Sequence, residues 1–152
     1  MNTKPDNLPR SLLALDFGLR RIGVASGSCI TATASALTTV EASDGIPNWA
    51  ELDRLIKEWA PDLLVLGFPY NKKEDESEIA AEIRRFAATL KSRYEMRVEF
   101  VDERYTSVEA QALLKEQRRK GIRSKRLKRT DIDSLAAQLI AESWLRINGK
   151  QS

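Results

Sequence analysis

The first clear pattern along the chain is an apolar run, Ser11 to Phe17 (SLLALDF), interrupted only by the acid at position 16. Such a run predicts a buried strand. A turn over Gly18 to Arg21 follows, then a second strand over Ile22 to Ser26. The small and β-branched residues from Cys29 to Leu37 (CITATASAL) predict a third strand. The gaps between these three are too short for a parallel crossover, so an antiparallel meander is expected. Beyond them the apolar period lengthens. Pro47 to Ala60 predicts a helix with Trp49, Leu52, Leu55, Ile56 and Trp59 on one stripe. Leu63 to Leu66 predicts a short strand, ending in Gly67-Phe68-Pro69. Ser77 to Leu90 predicts a second helix with Ile79, Ile83, Phe86, Ala87 and Leu90 facing inward. Arg97 to Val101 alternates as a fifth strand. Val108 to Leu114 starts a third helix, and Ile132 to Ile147 makes a fourth.

The expected fold is α/β, with a mixed five-stranded sheet flanked by helices. Three antiparallel strands come first, then two parallel ones reached through helices. Met1 to Arg10, with two prolines, reads as a loose N-terminal arm. Residues 11–148 form one domain without internal repeats. Ligand sites in such sheets lie beyond the carboxyl ends of the parallel strands.

Composition narrows the chemistry. The chain of 152 residues contains no histidine and a single cysteine, Cys29. That removes an imidazole base, a Ser-His or Cys-His couple and a His-ligated zinc site. A protein metal site here is built from oxygen, which favours Mg²⁺ or Mn²⁺. The lone cysteine excludes an internal disulfide and suits a reducing compartment. No apolar run has the length of a signal-peptide core or a membrane span, so a cytoplasmic protein is expected.

Charge is unevenly spread. The net charge is +3, yet Arg118 to Arg129 (RRKGIRSKRLKR) holds eight basic residues and no acid. The other 140 residues therefore carry −5. A solvated loop is the plain reading of such a run. Eight mutually repelling charges make more sense opposite a polyanion, of which nucleic acid is the commonest.

Three acidic positions stand where strands and helices end. Asp16 closes the first strand, where an ionised acid is costly unless it is paired or binds metal. It could equally support the turn through a backbone hydrogen bond. Asp102 and Glu103 close the fifth strand in VDERYTS, and alternation there puts one acid on each face. Thr106 or Ser107 suits the N-cap of the following helix. Asp131 and Asp133 begin the last helix. Thr130 and Asp133 have capping-box spacing, while Ala136 and Ala137 would let this helix end lie close to the sheet. Acids gathered at one point repel unless a cation lies between them. Two Mg²⁺ ions about 4 Å apart on such carboxylates activate water and stabilise the leaving oxygen in phosphodiester cleavage.

The segments LALDFGLRRIGVASG, LLVLGFPYN, VDERYTSVEA and DIDSLAAQLIAESWL, in this order, resemble the YqgF (RuvX) family. Its members are ribonuclease H-like proteins described as Holliday junction resolvases and as nucleases of pre-16S ribosomal RNA. The likeness runs from about Leu12 to Trp144. It implies a ribonuclease H-like fold and a metal-dependent nuclease whose catalytic, metal-binding acids are Asp16, Glu103 and Asp133. Gly18, Gly67, Pro69, Asn71, Arg104 and Ser107 are further signature positions. Phe68 and Tyr105 stand where the family often has leucine, and Asp131 is an extra acid beside the third assignment.

The expected activity is hydrolysis of phosphodiester bonds, with Mg²⁺ or Mn²⁺, in 5′-end processing of pre-16S rRNA during ribosome biogenesis. The alternative substrate is branched DNA. Nucleic acid, alone or in ribosomal particles, is the expected partner of a monomer or weak homodimer. Arg104, Arg118, Arg119, Lys120, Arg123, Lys125, Arg126, Lys128 and Arg129 are the candidate contacts to it. Two rival readings stand beside this one. Asp16-Phe17-Gly18 also fits the phosphate-binding turn of the actin and sugar-kinase group, but those proteins close two such domains around nucleotide. A non-enzymatic nucleic-acid binder would use the basic run and leave the acids structural.

Overall fold

A computed structural model describes residues 9–69, 78–102 and 129–148, the side chains of 129–131 excepted. Strand β1 (Ser11–Asp16) is apolar on both faces because helices cover both. Leu13 and Leu15 enter one core with Leu52, Leu55 and Ile56 of α1 (Trp49–Trp59) and Ile83, Phe86 and Leu90 of α2 (Glu78–Tyr94). Leu12 and Ala14 enter the other, with Ile140, Ala141, Trp144 and Leu145 of α3 (Arg129–Asn148). The result is three layers, with the sheet in the middle.

Five further strands complete that sheet: β2 (Arg21–Ser28), β3 (Thr33–Ser43), β4 (Ile46–Pro47), β5 (Leu63–Phe68) and β6 (Arg97–Asp102). Their spatial order is β4-β3-β2-β1-β5-β6. The first four pair antiparallel in sequence, whereas β5 runs parallel to β1 and β6 parallel to β5. The carboxyl ends of β1, β5 and β6 therefore share one edge. Leu15 lies beside Leu66, and Phe68 beside Asp102.

The expected α/β class and strand directions hold, but the sheet has six strands rather than five. The sixth comes from a two-residue hairpin turn at Asp44-Gly45, where both φ values are positive (52° and 82°). Asp-Gly is among the strongest hairpin signals because that turn needs left-handed backbone at both positions. Pro47 consequently belongs to β4 and not to the helix. Asn48 caps α1 instead, its Oδ1 accepting from the Glu51 N–H at 3.2 Å. The third strand is also displaced. Residues 29–32 form the turn, with Ala32 at φ 59°, and the strand runs past its last β2 partner, Glu41, to Ser43, whose pairing with Ile46 adds β4. Trp59 and Ile79, expected inward, lie at the rims of their helical stripes and are 43% and 37% exposed. The helix expected at Val108–Leu114 lies outside the described residues.

Arg10, the last residue of the expected arm, is tied down: its N–H and that of Ser11 both donate to Asp62 Oδ2. No helix among the described residues is long and apolar enough to cross a membrane.

Helices α1 and α2 are joined at their exposed edge. Arg93 donates to both Asp53 oxygens, at 2.9 and 2.7 Å, and lies 4.4 Å above the Trp49 ring. The Tyr94 hydroxyl donates to Asp53 Oδ1 at 2.6 Å. The Arg93 and Tyr94 hydrogen bonds hold the Asp53 carboxyl down at about 2. A carboxyl lowered on folding stabilises the native state above its unfolded value, near 4, and loses that effect as pH falls through the folded value. Asp53→Asn is therefore expected to flatten the loss of stability between about pH 4 and pH 2, measured by urea melts across that window. The effect is small because both partners are about two-fifths exposed.

Candidate functional site

Asp16 is the last residue of β1, and its direction follows from its neighbours. Leu15 lies in the α1/α2 core, and the Phe17 ring packs 5.1 Å from Phe86 of α2. Position 16 has the parity of Leu12 and Ala14, which face α3. Asp16 is thus on the α3 face, half-buried, at the edge where β1, β5 and β6 end.

The first turn-and-a-half of α3 reaches the same place. Asp16 pairs across the sheet with Gly23 of β2. A Cβ at Gly23 would stand 2.0 Å from the Asp133 carbonyl oxygen and 2.9 Å from the Ser134 nitrogen. Helix backbone lies directly on strand backbone there, and only glycine leaves the room. Asp16 and Asp133 both border Gly23, though 117 positions separate them in sequence. Further along α3, Ala137 is fully buried and Gln138 accepts from the Ala36 N–H of β3 at 3.2 Å, fixing the helix across the sheet. Ala136 and Ala137 are the sequence signal for close packing, and of the two Ala137 is the buried one while Ala136 is half-buried. Gly23, the other half of the contact, was not singled out.

Arg21 was also missed. Its Nε–H donates to Asp133 Oδ2 at 2.7 Å. Gly18 makes the turn that brings Arg21 back, since a Cβ there would meet the Arg21 carbonyl at 2.5 Å. The helix begins at Arg129, so Thr130 lies inside its first turn rather than before it, as a capping box would require.

The paired acids at positions 102 and 103 are distinguished by β6. Val98 joins the α1/α2 core, whereas Val101 joins the α3 core and Glu99 accepts from Trp144 Nε1 of α3 at 2.8 Å. Odd positions face α3. Asp102 accordingly falls on the α1/α2 face, away from Asp16. Glu103 lies outside the described residues, as do Arg104, Ser107, Asn71, Arg118, Arg119, Lys120, Arg123, Lys125, Arg126 and Lys128. Arg129 and Asp131 are in α3, with side chains outside the described set. Gly67 and Pro69 are buried at the end of β5, Gly67 paired with Val101. No group of three acidic or cysteine side chains placed to hold a metal ion occurs among the described residues.

Burial, then the nearby Asp62 charge, pushes the Cys29 thiol up, away from the thiolate form that a nucleophile uses. A cavity of about 200 Å³ at the opposite end of β1, lined by Ser11, Ser28, Thr33 and Trp59 among others, has no charged side chain in its wall.

Comparison with known proteins agrees in two ways. A protein 46% identical over 136 residues, covering 90% of this chain and 94% of its own length, is the "Putative pre-16S rRNA nuclease" of Aeromonas hydrophila. The protein of that name from Francisella tularensis subsp. holarctica is 40% identical, covering 91% and 98%. Among solved structures, T. thermophilus RuvC in complex with Holliday junction substrate has a TM-score of 0.52 at 16% identity, covering 91% and 96% of the two chains. The yeast mitochondrial Holliday junction resolvase Ydc2 also gives 0.52, at 11% identity and 89% and 77% coverage. The family profile described as RuvX, Holliday junction resolvase, matches residues 10–147. The chain belongs to the RuvX family and has the ribonuclease H-like fold of the RuvC-type resolvases.

Proposed function

We propose that this protein is a cytoplasmic, metal-dependent endonuclease that hydrolyses phosphodiester bonds in 5′-end processing of pre-16S rRNA. The observation that carries the reading is that Asp16 and the Asp133 backbone both border Gly23, at the carboxyl edge of the parallel strands. Glu103 is the third acid of the proposal. Its support is the alternation of β6, which gives Asp102 to the opposite face and makes 103 the next odd position.

The donor set suits a hard divalent cation. It is all carboxylate, in a chain without histidine whose one thiol is held protonated. Asp16, Glu103 and Asp133 would hold Mg²⁺ or Mn²⁺. When bound, the metal supplies charge neutralisation at the phosphodiester and a lowered pKa for the attacking water. The residues of the chain do the rest. The acids fix where that charge sits, and the basic residues from Arg118 to Arg129, with Arg104, bind the substrate backbone without reading its sequence. The names of the 46% and 40% identical relatives favour precursor rRNA over branched DNA.

Purified protein incubated with labelled precursor 16S rRNA is expected to cut it in Mg²⁺ or Mn²⁺. EDTA should lower the rate by on the order of 10³-fold or more, and zinc should not restore it. Cleavage that survives thorough chelation refutes the metal site. Four-way DNA junctions cut under the same conditions, with the RNA left intact, would transfer the activity to branched DNA.

A further inference from the structure

Arg21 opens β2 two residues before Gly23, so the two share the α3 face of the sheet. Its Nε–H···Oδ2 bond to Asp133 is 2.7 Å long, and the two side chains are only 30% and 23% exposed. The pair joins the start of the domain to its last helix. Asp133 is consequently held twice, by its backbone against Gly23 and by its carboxylate against Arg21.

These contacts do different things. The glycine contact sets how near the helix comes, but leaves the aspartate free to turn about its own side-chain bonds. The guanidinium restricts that freedom, because a short charge-assisted bond pins one carboxylate oxygen. It engages Oδ2 and leaves Oδ1 as the oxygen it does not hold. Its charge opposes a bound cation, yet one arginine against Asp16 and Asp133 still leaves net negative charge there. Before metal arrives, the same charge reduces repulsion between the acids.

We propose that Arg21 is the positioning residue that orients the Asp133 carboxylate for divalent-metal binding, a role that rests on the metal site proposed above. It acts through Asp133 and not on the substrate. The test is calorimetric titration of Mn²⁺ into the full-length protein without nucleic acid, joined to steady-state cleavage, for Arg21→Gln, Arg21→Lys and Asp16→Asn. Arg21→Gln is expected to weaken Mn²⁺ binding by about 10- to 100-fold, the usual effect of losing a partner that orients a metal ligand. Its kcat should fall while KM for nucleic acid stays within about twofold, since no substrate contact is removed. Arg21→Lys keeps the charge without the planar donor and should also weaken Mn²⁺ binding, so it carries the test if the glutamine variant does not fold.

Wild-type or tighter Mn²⁺ binding in either arginine variant overturns the proposal, as does an effect confined to KM, which would make Arg21 a phosphate contact. The Asp16→Asn arm separates this failure from that of the metal site. If Asp16→Asn binds Mn²⁺ as the wild type does, the site itself is wrong and the proposal falls with it. If that variant loses Mn²⁺ while Arg21→Gln retains it, only the positioning role is refuted.

Discussion

Asp16→Asn is expected to abolish cleavage, lowering kcat by on the order of 10³-fold or more, because several kcal/mol of charge stabilisation at the reacting phosphate depend on the metal it would hold. Folding should be spared. The substitution keeps the size of the side chain and removes one negative charge from a place where Asp133 also stands. Thermal melts without metal should therefore give a Tm within about 3 °C of wild type, or above it. Cleavage assays in Mg²⁺ and Mn²⁺, alongside those melts, decide the matter. A variant that unfolds would show that the carboxylate serves the fold, and a fully active one would remove Asp16 from the site.

Gly23→Ala should have the largest effect on stability. The added methyl would stand 2.0 Å from the Asp133 carbonyl oxygen and 2.3 Å from its carbon. These are backbone atoms, so no side chain can swing aside. Either the start of α3 lifts from the sheet or the strand pair bends. Overpacking of this kind costs about 3 kcal/mol or more, a fall in Tm of roughly 6 to 12 °C for a chain of this size. Cleavage should be lost as well, because lifting the helix moves Asp133 from the edge where Asp16 lies. An alanine variant with wild-type melting and cleavage would show that α3 does not sit on Gly23.

Much of this was legible in the chain, for identifiable reasons. The run Leu12–Leu15 is apolar at every position because both faces of β1 are covered, and continuous runs of that kind mark central strands. Leu52, Leu55 and Ile56, and likewise Ile83, Phe86, Ala87 and Leu90, recur at helical spacing and are buried. Periodicity is weakest at the margins of a stripe, and there Trp59 and Ile79 proved exposed. The third strand was misplaced because small and β-branched residues fit a turn as readily as a strand. Asp44-Gly45 had carried the correction in plain sight.

At the site, the ends of elements could be read, since an acid closing an apolar run is costly enough to be noticed. Which residues meet across 117 positions could not. Gly23 and Arg21 have no unusual local setting. The first matters because helix backbone lies over it, and the second because a carboxylate from the far end of the chain comes within 2.7 Å. Partners of this kind are fixed by docking, which no local pattern records.

The contact of α3 with Gly23 also bears on the order in which the domain assembles. Asp16 lies in a strand whose antiparallel partner β2, and the β3 that pairs with β2, follow it directly in the chain. The helix bearing Asp133 follows every strand of the sheet in the chain, and it brings Ile140, Ala141, Trp144 and Leu145 to a half of the core that is incomplete without them. A nascent chain with most of its sheet formed thus has neither a closed core nor both of these acids. Domains mature as units once such long-range contacts close. The approach of Asp133 to the edge where Asp16 lies is in this sense a late event, reached only when α3 closes its half of the core.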